Sequence, residues 1–80
     1  MRLSVYSLKK VLYQGEASSI NCKTALGEIT ILNNHRPLLS VLKEGDIVVL
    51  DGKKQEHFLP VKSGFLEVNK ENQVRMIVEE

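Results

Sequence analysis

Apolar and polar residues alternate with a period of two through most of this sequence, and turn-forming residues interrupt the alternation every few positions. That pattern sends successive side chains to opposite faces of a strand, so it commits the chain to short strands with one face buried. Leu3 and Val5 share a face of a first strand. Val11 and Tyr13 share a face of a second, which ends near Gly15. Ile20 and Cys22 point together in a third, whose other side carries Ser19, Asn21 and Lys23. Helical periodicity is weak throughout, and no long amphipathic segment carries end caps.

The stretch from Gly27 to Gly45 organises the middle of the chain. Glu28 and Thr30 alternate with Ile29 and Ile31 until Asn33 and Asn34 stop the pattern. Asparagine favours turns because its short amide bonds locally to the backbone and tolerates the left-handed region. Pro37 fixes its own φ and pushes Arg36 towards an extended shape. Leu38 to Leu42 reads as the next strand, closed by a turn around Glu44 and Gly45. The corner between the two strands holds Asn34, His35 and Arg36 outward on a stiff loop.

Downstream, Asp46 to Leu50 is apolar on both faces, as in a strand covered on both sides. Asp51-Gly52 predicts a type I′ hairpin, which needs positive φ. Gln55 to Pro60 supplies the returning strand, with Phe58 as its best core candidate and Pro60 at a strand end or sheet edge. Gly64 to Val68 turns Leu66 and Val68 inward, and Asn69 to Asn72 is a polar turn. The final strand, Gln73 to Val78, puts Val74, Met76 and Val78 on one face. Short strands separated by Gly, Asn and Asp turns predict an all-β sandwich or barrel, a single domain over residues 1–80.

A domain of 80 residues buries only about 60% of the surface its unfolded chain exposes. Cys22 has no partner for an intramolecular disulfide and reads as a small buried hydrophobe. With 11 basic and 10 acidic side chains mixed along the chain and a net charge of +1, there is no stripe for nucleic acid and no polybasic membrane patch. No apolar run is long enough for a signal peptide or a membrane span, so the chain reads as cytosolic, touching a membrane complex only peripherally.

Sites for chemistry are equally sparse. Asp51-Gly52-Lys53-Lys54 lacks the upstream glycine and the following hydroxyl residue of a phosphate-binding loop. Ser40, His35 or His57, and Asp46 or Asp51 could be imagined as a triad, but none carries a nucleophile elbow. A small hydrolase using Ser40 or Cys22 with His35 therefore ranks far behind a protein that works by contact. Two histidines and scattered carboxylates give no metal spacing, and no cofactor is implied. His35 has two readings: a corner histidine that bonds a nearby carbonyl and stiffens the turn, or a contact residue on a rigid recognition loop. Glu28 divides similarly between a solvated strand residue and a contact leading into the same corner.

The run GEITILNNHRPLLSVLKEG, followed later by SGFLEV (Ser63 to Val68), resembles the epsilon subunit of F-type ATP synthase, and more narrowly its N-terminal β-sandwich. The elements shared are Gly27-Glu28, His35 and Pro37, the paired leucines, Ser40, and the spacing to Gly45 and to Ser-Gly-x-Leu-Glu-Val. The resemblance implies a flattened sandwich of two mainly antiparallel sheets. It also implies a non-catalytic rotor subunit on the central stalk, packed against the gamma subunit and resting on the ring of c subunits, so that proton flow is coupled to ATP synthesis. Carried onto matching positions, the c-ring contact falls on Glu28 and His35, with Asn34 and Arg36 alongside, and Ser40 faces gamma. Other F1 subunits complete the set of partners, and the location is peripheral, on the cytoplasmic face of the membrane. The family's C-terminal helical hairpin lies outside the expectation, because the last strand runs straight to Glu80; neither inhibition nor ATP binding is carried over. A free-standing sandwich that binds a small ligand or peptide is the alternative. The rotor reading expects a shallow apolar patch on one sheet face, and the ligand module expects a deep apolar pocket.

Overall fold

The computed structural model describes residues 1–80 as eight strands with no helix. The strands are β1 (Arg2–Tyr6), β2 (Val11–Thr24), β3 (Gly27–Leu32), β4 (Leu38–Leu42), β5 (Gly45–Asp51), β6 (Glu56–Val61), β7 (Ser63–Val68) and β8 (Gln73–Glu79). Pairing runs β1-β8-β7-β4-β2-β5-β6, with β3 on the side of β2 and a further β1–β2 pairing. All pairs are antiparallel except β1 with β8. The result is an all-β sandwich in which β2 serves both layers: its first half pairs with β1, and its second half lies between β3 and β5.

Two irregularities let β2 pass from one layer to the other. Its register shifts opposite Val5 and Tyr6, and again around Ser18, whose hydroxyl donates to the Leu50 carbonyl at 3.1 Å. An extra residue bends a strand and resets which side chains face inward. Hence Ala17 and Ile20, three positions apart, are both buried.

This overturns two readings of the sequence. The second and third strands are one continuous strand, because Gly15 sits opposite Leu3 within the ladder and makes no turn. Val11 and Tyr13 do not share a face: the first shift sets Val11 against Tyr6, leaving Val11 exposed while Leu12 and Tyr13 pack against the core.

The core is contributed by every strand. Leu3, Ile20, Ile31, Leu42, Ile47 and Leu66 are the largest aliphatic side chains in it, each essentially sealed from solvent. Burying one such side chain stabilises the fold by about 1.5–3 kcal/mol before conformational entropy is counted. Leu66, Val68, Val74, Met76 and Val78 all face inward as their alternation requires.

Phe58 does not. In β6 the inward residues are His57, Leu59 and Val61, opposite Val49, Ile47 and Gly45 of β5, and Phe58 is 58% exposed. Turning Phe58 inward would carry Glu56 and Pro60 with it, since all three share one face. Pro60 lies in an edge strand, where its missing N–H costs no ladder bond. Strand β5 is covered only on its inner face: Ile47 and Val49 are buried, but Val48 and Leu50 are half-buried. The β5–β6 hairpin is also not of type I′. Its left-handed residue is Lys54 at φ 66°, not Gly52, and the Asp51 carboxylate receives the Lys53 and Gln55 amides at 2.8 and 2.9 Å.

Candidate functional site

The corner between β3 and β4 is built by three asparagines. Asn34 takes a left-handed backbone at φ 62°, which its short amide side chain tolerates. Its N–H donates to the Asn72 carboxamide oxygen at 2.7 Å, and the Asn72 amide group donates to the Asn33 oxygen at 3.3 Å. The same Asn33 oxygen accepts from the Met1 nitrogen, which also donates to the Ala17 carbonyl at 3.0 Å. The corner is therefore tied to β2 and to the β7–β8 turn.

His35 Nδ1–H donates to the Arg36 carbonyl at 2.7 Å. This is the turn-stiffening geometry, and it leaves Nε2 as the nitrogen free for an outside partner. His35 is half-buried, whereas Asn34, Arg36 and Pro37 are exposed. Glu28 is exposed as well, opposite Lys23 on β2. It stands at the far end of β3 from the corner, separated from Leu32 by four residue steps, about 13 Å of strand. The structure thus groups Asn34, His35 and Arg36 and sets Glu28 apart from them along an open strand edge. Ser40 is half-buried on the inward side of β4 with Leu38 and Leu42, while its neighbours Leu39 and Val41 point outward, 78% and 44% exposed.

Val41 belongs to a shallow apolar patch of the kind expected on one sheet face, whose members only the structure identifies. Cross-strand register places Val11, Tyr6, Ile77, Phe65 and Val41 in one row over the outer face of β2, β1, β8, β7 and β4. Phe65 is 67% exposed and Ile77 53%. Alternation showed which residues of each strand lay outside; only the pairing order shows that they line up. Below this row the face is polar, with a shallow hollow lined by Arg2, Ser4, Gln73, Arg75 and Glu67.

At the other hairpin, His57 Nε2 pairs with Asp51 Oδ2 at 2.8 Å, and its ring meets Tyr13 edge-on at 5.3 Å between centroids. The Tyr13 hydroxyl donates to the Glu16 carbonyl at 2.6 Å. The hydrogen bond from His57, followed by that from the Gln55 amide, holds the Asp51 carboxyl below the usual carboxylate range. Partial burial, then the charges of Asp51 and Glu16, push the Tyr13 phenol above its ordinary value. The Ser18 hydroxyl is spent on the Leu50 and Asp51 main-chain carbonyls, at 3.1 and 3.4 Å, and the Asp51 carboxylate with His57 clasps the hairpin. Cys22 is buried, and burial pushes its thiol up to about 11. No cluster of His, Cys, Asp and Glu could hold a metal ion, and no helix is long and apolar enough to cross a membrane.

Comparison with known proteins gives this arrangement a family. Residues 1–80 match the family described as ATP synthase, Delta/Epsilon chain, beta-sandwich domain. The ATP synthase epsilon chain of Corynebacterium glutamicum is 38% identical over 72 residues, covering 86% of this chain and 56% of its own length. That of Leptospira borgpetersenii is 35% identical over 79 residues, covering 99% of this chain and 61% of its own. The chain thus spans little more than half the length of these relatives. Two solved structures share the fold. A chain of the Euglena gracilis mitochondrial ATP synthase, solved as an OSCP/F1/c-ring assembly, superposes with a TM-score of 0.90 at 22% identity over 98% of this chain and 49% of its own. One from the central stalk and c-ring of the Tetrahymena thermophila enzyme gives 0.81 at 21% identity over 100% and 63%. With the domain matched from end to end and relatives above 30% identity along nearly all of it, the chain belongs to the β-sandwich family of ATP synthase delta and epsilon chains.

Proposed function

We propose that this domain is a non-catalytic coupling element of an ATP synthase rotor, held by the gamma subunit on one sheet face and touching the ring of c subunits at its β3–β4 corner. The observation that carries the reading is the registered row of outward apolar side chains, exposed Val11, Ile77, Phe65 and Val41 with half-buried Tyr6, on the face formed by β2, β1, β8, β7 and β4. Contiguous exposed apolar surface marks a place where another protein packs. Ser40, expected to face gamma, points to the opposite side of β4 from this row, so on this reading the gamma contact of β4 falls on Val41 and not on Ser40.

The corner suits a polar partner. Asn34, the free Nε2 of His35 and Arg36 present donors and acceptors on a loop that loses little freedom on binding, and Glu28 extends the contact along the open edge of β3. Such a contact is salt-sensitive, because mobile ions weaken attraction between solvent-exposed charges. Torque then passes through packing and polar pairs, with no bond made or broken, and the domain sits peripherally on the cytoplasmic face of the membrane with the other F1 subunits.

The test is size-exclusion chromatography of the purified chain with gamma at micromolar concentration. Co-elution is the expected result, and elution of the two proteins apart would overturn the reading. Replacement of Glu28 and His35 by Gln should then weaken coupling of proton flow to ATP synthesis in a reconstituted complex, and unchanged coupling would remove the corner from the contact.

A further inference from the structure

The corner is tied to another hairpin through a single residue. Asn72, in the β7–β8 turn, has a left-handed backbone at φ 61°, as Asn34 has at φ 62°. Its side-chain oxygen accepts the Asn34 N–H at 2.7 Å, its side-chain amide donates to Asn33 at 3.3 Å, and its own carbonyl accepts the Arg2 N–H at 3.1 Å. One residue thus joins the corner, the start of β1 and the β7–β8 turn. The turn beneath it is fixed independently, since the Asn69 oxygen receives the Glu71 and Gln73 amides at 2.9 and 3.1 Å. An anchor that is itself rigid is what a presented loop requires.

We propose that Asn72 is a positioning residue for the corner: its carboxamide holds the Asn34 backbone, and through it sets how His35 and Arg36 are offered to a partner. The proposal rests on the reading of the corner as the c-ring contact. A neutral amide suits the position because it supplies an acceptor to a backbone N–H and a donor to a second carboxamide at once. Aspartate keeps the first role and loses the second. Glycine loses both while keeping the left-handed backbone free of strain.

The experiment compares the 80-residue chain with its Asn72→Gly, Asn72→Asp and His35→Ala variants. It reads amide hydrogen exchange by NMR, the thermal midpoint, and affinity for purified c-ring in detergent. For Asn72→Gly the Asn34 amide should exchange about tenfold faster, the scale of one lost hydrogen bond, while amides of the core strands keep their protection. Its c-ring affinity should fall by a similar factor, and Asn72→Asp should retain both the Asn34 protection and most of the affinity. Unchanged exchange at Asn34 in Asn72→Gly would overturn the proposal. So would an affinity that drops in His35→Ala and not in Asn72→Gly, which would leave the ring reading intact. Undiminished affinity in both would overturn the ring reading and the positioning role with it.

Discussion

His57 and Asp51 close the β5–β6 hairpin by a hydrogen bond of 2.8 Å between Nε2 and Oδ2, while the other Asp51 oxygen caps the Lys53 and Gln55 amides. The folded protein holds the Asp51 carboxyl below its ordinary value, so the stabilisation is fully present above that value and is lost as pH falls through the folded pKa. The window lies below about pH 4, the unperturbed carboxylate value. A thermal midpoint followed from pH 7 to pH 2 should fall in this window. In Asp51→Asn the fall should be smaller, and an identical acid slope would remove the clasp.

Gly64 is a place where two backbones meet. A Cβ built there would lie 2.5 Å from the Ile77 carbonyl oxygen and 3.0 Å from Val78 Cα, so β8 itself would have to move. Gly64→Ala should therefore destabilise the fold by about 1–3 kcal/mol in urea unfolding, the usual cost of overpacking. A change within about 0.5 kcal/mol, typical of surface sites, would contradict this.

Much of this architecture could be read from alternation alone, and the exceptions have physical causes. Leu3, Val5, Leu66, Val68, Val74, Met76 and Val78 face inward because nothing disturbs the two-residue period in their strands. Val11 and Tyr13 fail because a bulge resets the period, and a bulge depends on the partner strand. Phe58 faces outward despite its size because Glu56 and Pro60 share its face, and a buried charge costs more than an exposed ring. The corner's outline was legible in Asn33, Asn34 and Pro37. Its anchor was not, since Asn72 is 38 residues away from Asn34 and nothing local marks the pairing. The apolar row lies on five strands that are scattered in sequence, so it exists only once they are ordered side by side.

Cys22 is 1% exposed on the inner side of β2, and burial raises its thiol to about 11. Only the thiolate reacts, so alkylation requires the fold to open. Native protein at pH 7.5 should react with a thiol reagent roughly a thousandfold more slowly than protein in denaturing urea, given a stability near the low end of the usual range. Comparable rates would mean that the second half of β2 opens on its own.

The central claim concerns the outer face of β1, β8, β7 and β4, and binding of gamma by calorimetry tests it most directly. Phe65 and Ile77 lie opposite each other in the middle of the apolar row and face solvent, so Phe65→Glu and Ile77→Glu should leave the fold stable. Each should weaken gamma binding about thirtyfold or more, as loss of an interface anchor does. Folded variants that bind gamma with the affinity of the unaltered chain would show that this face is not where the rotor holds the domain.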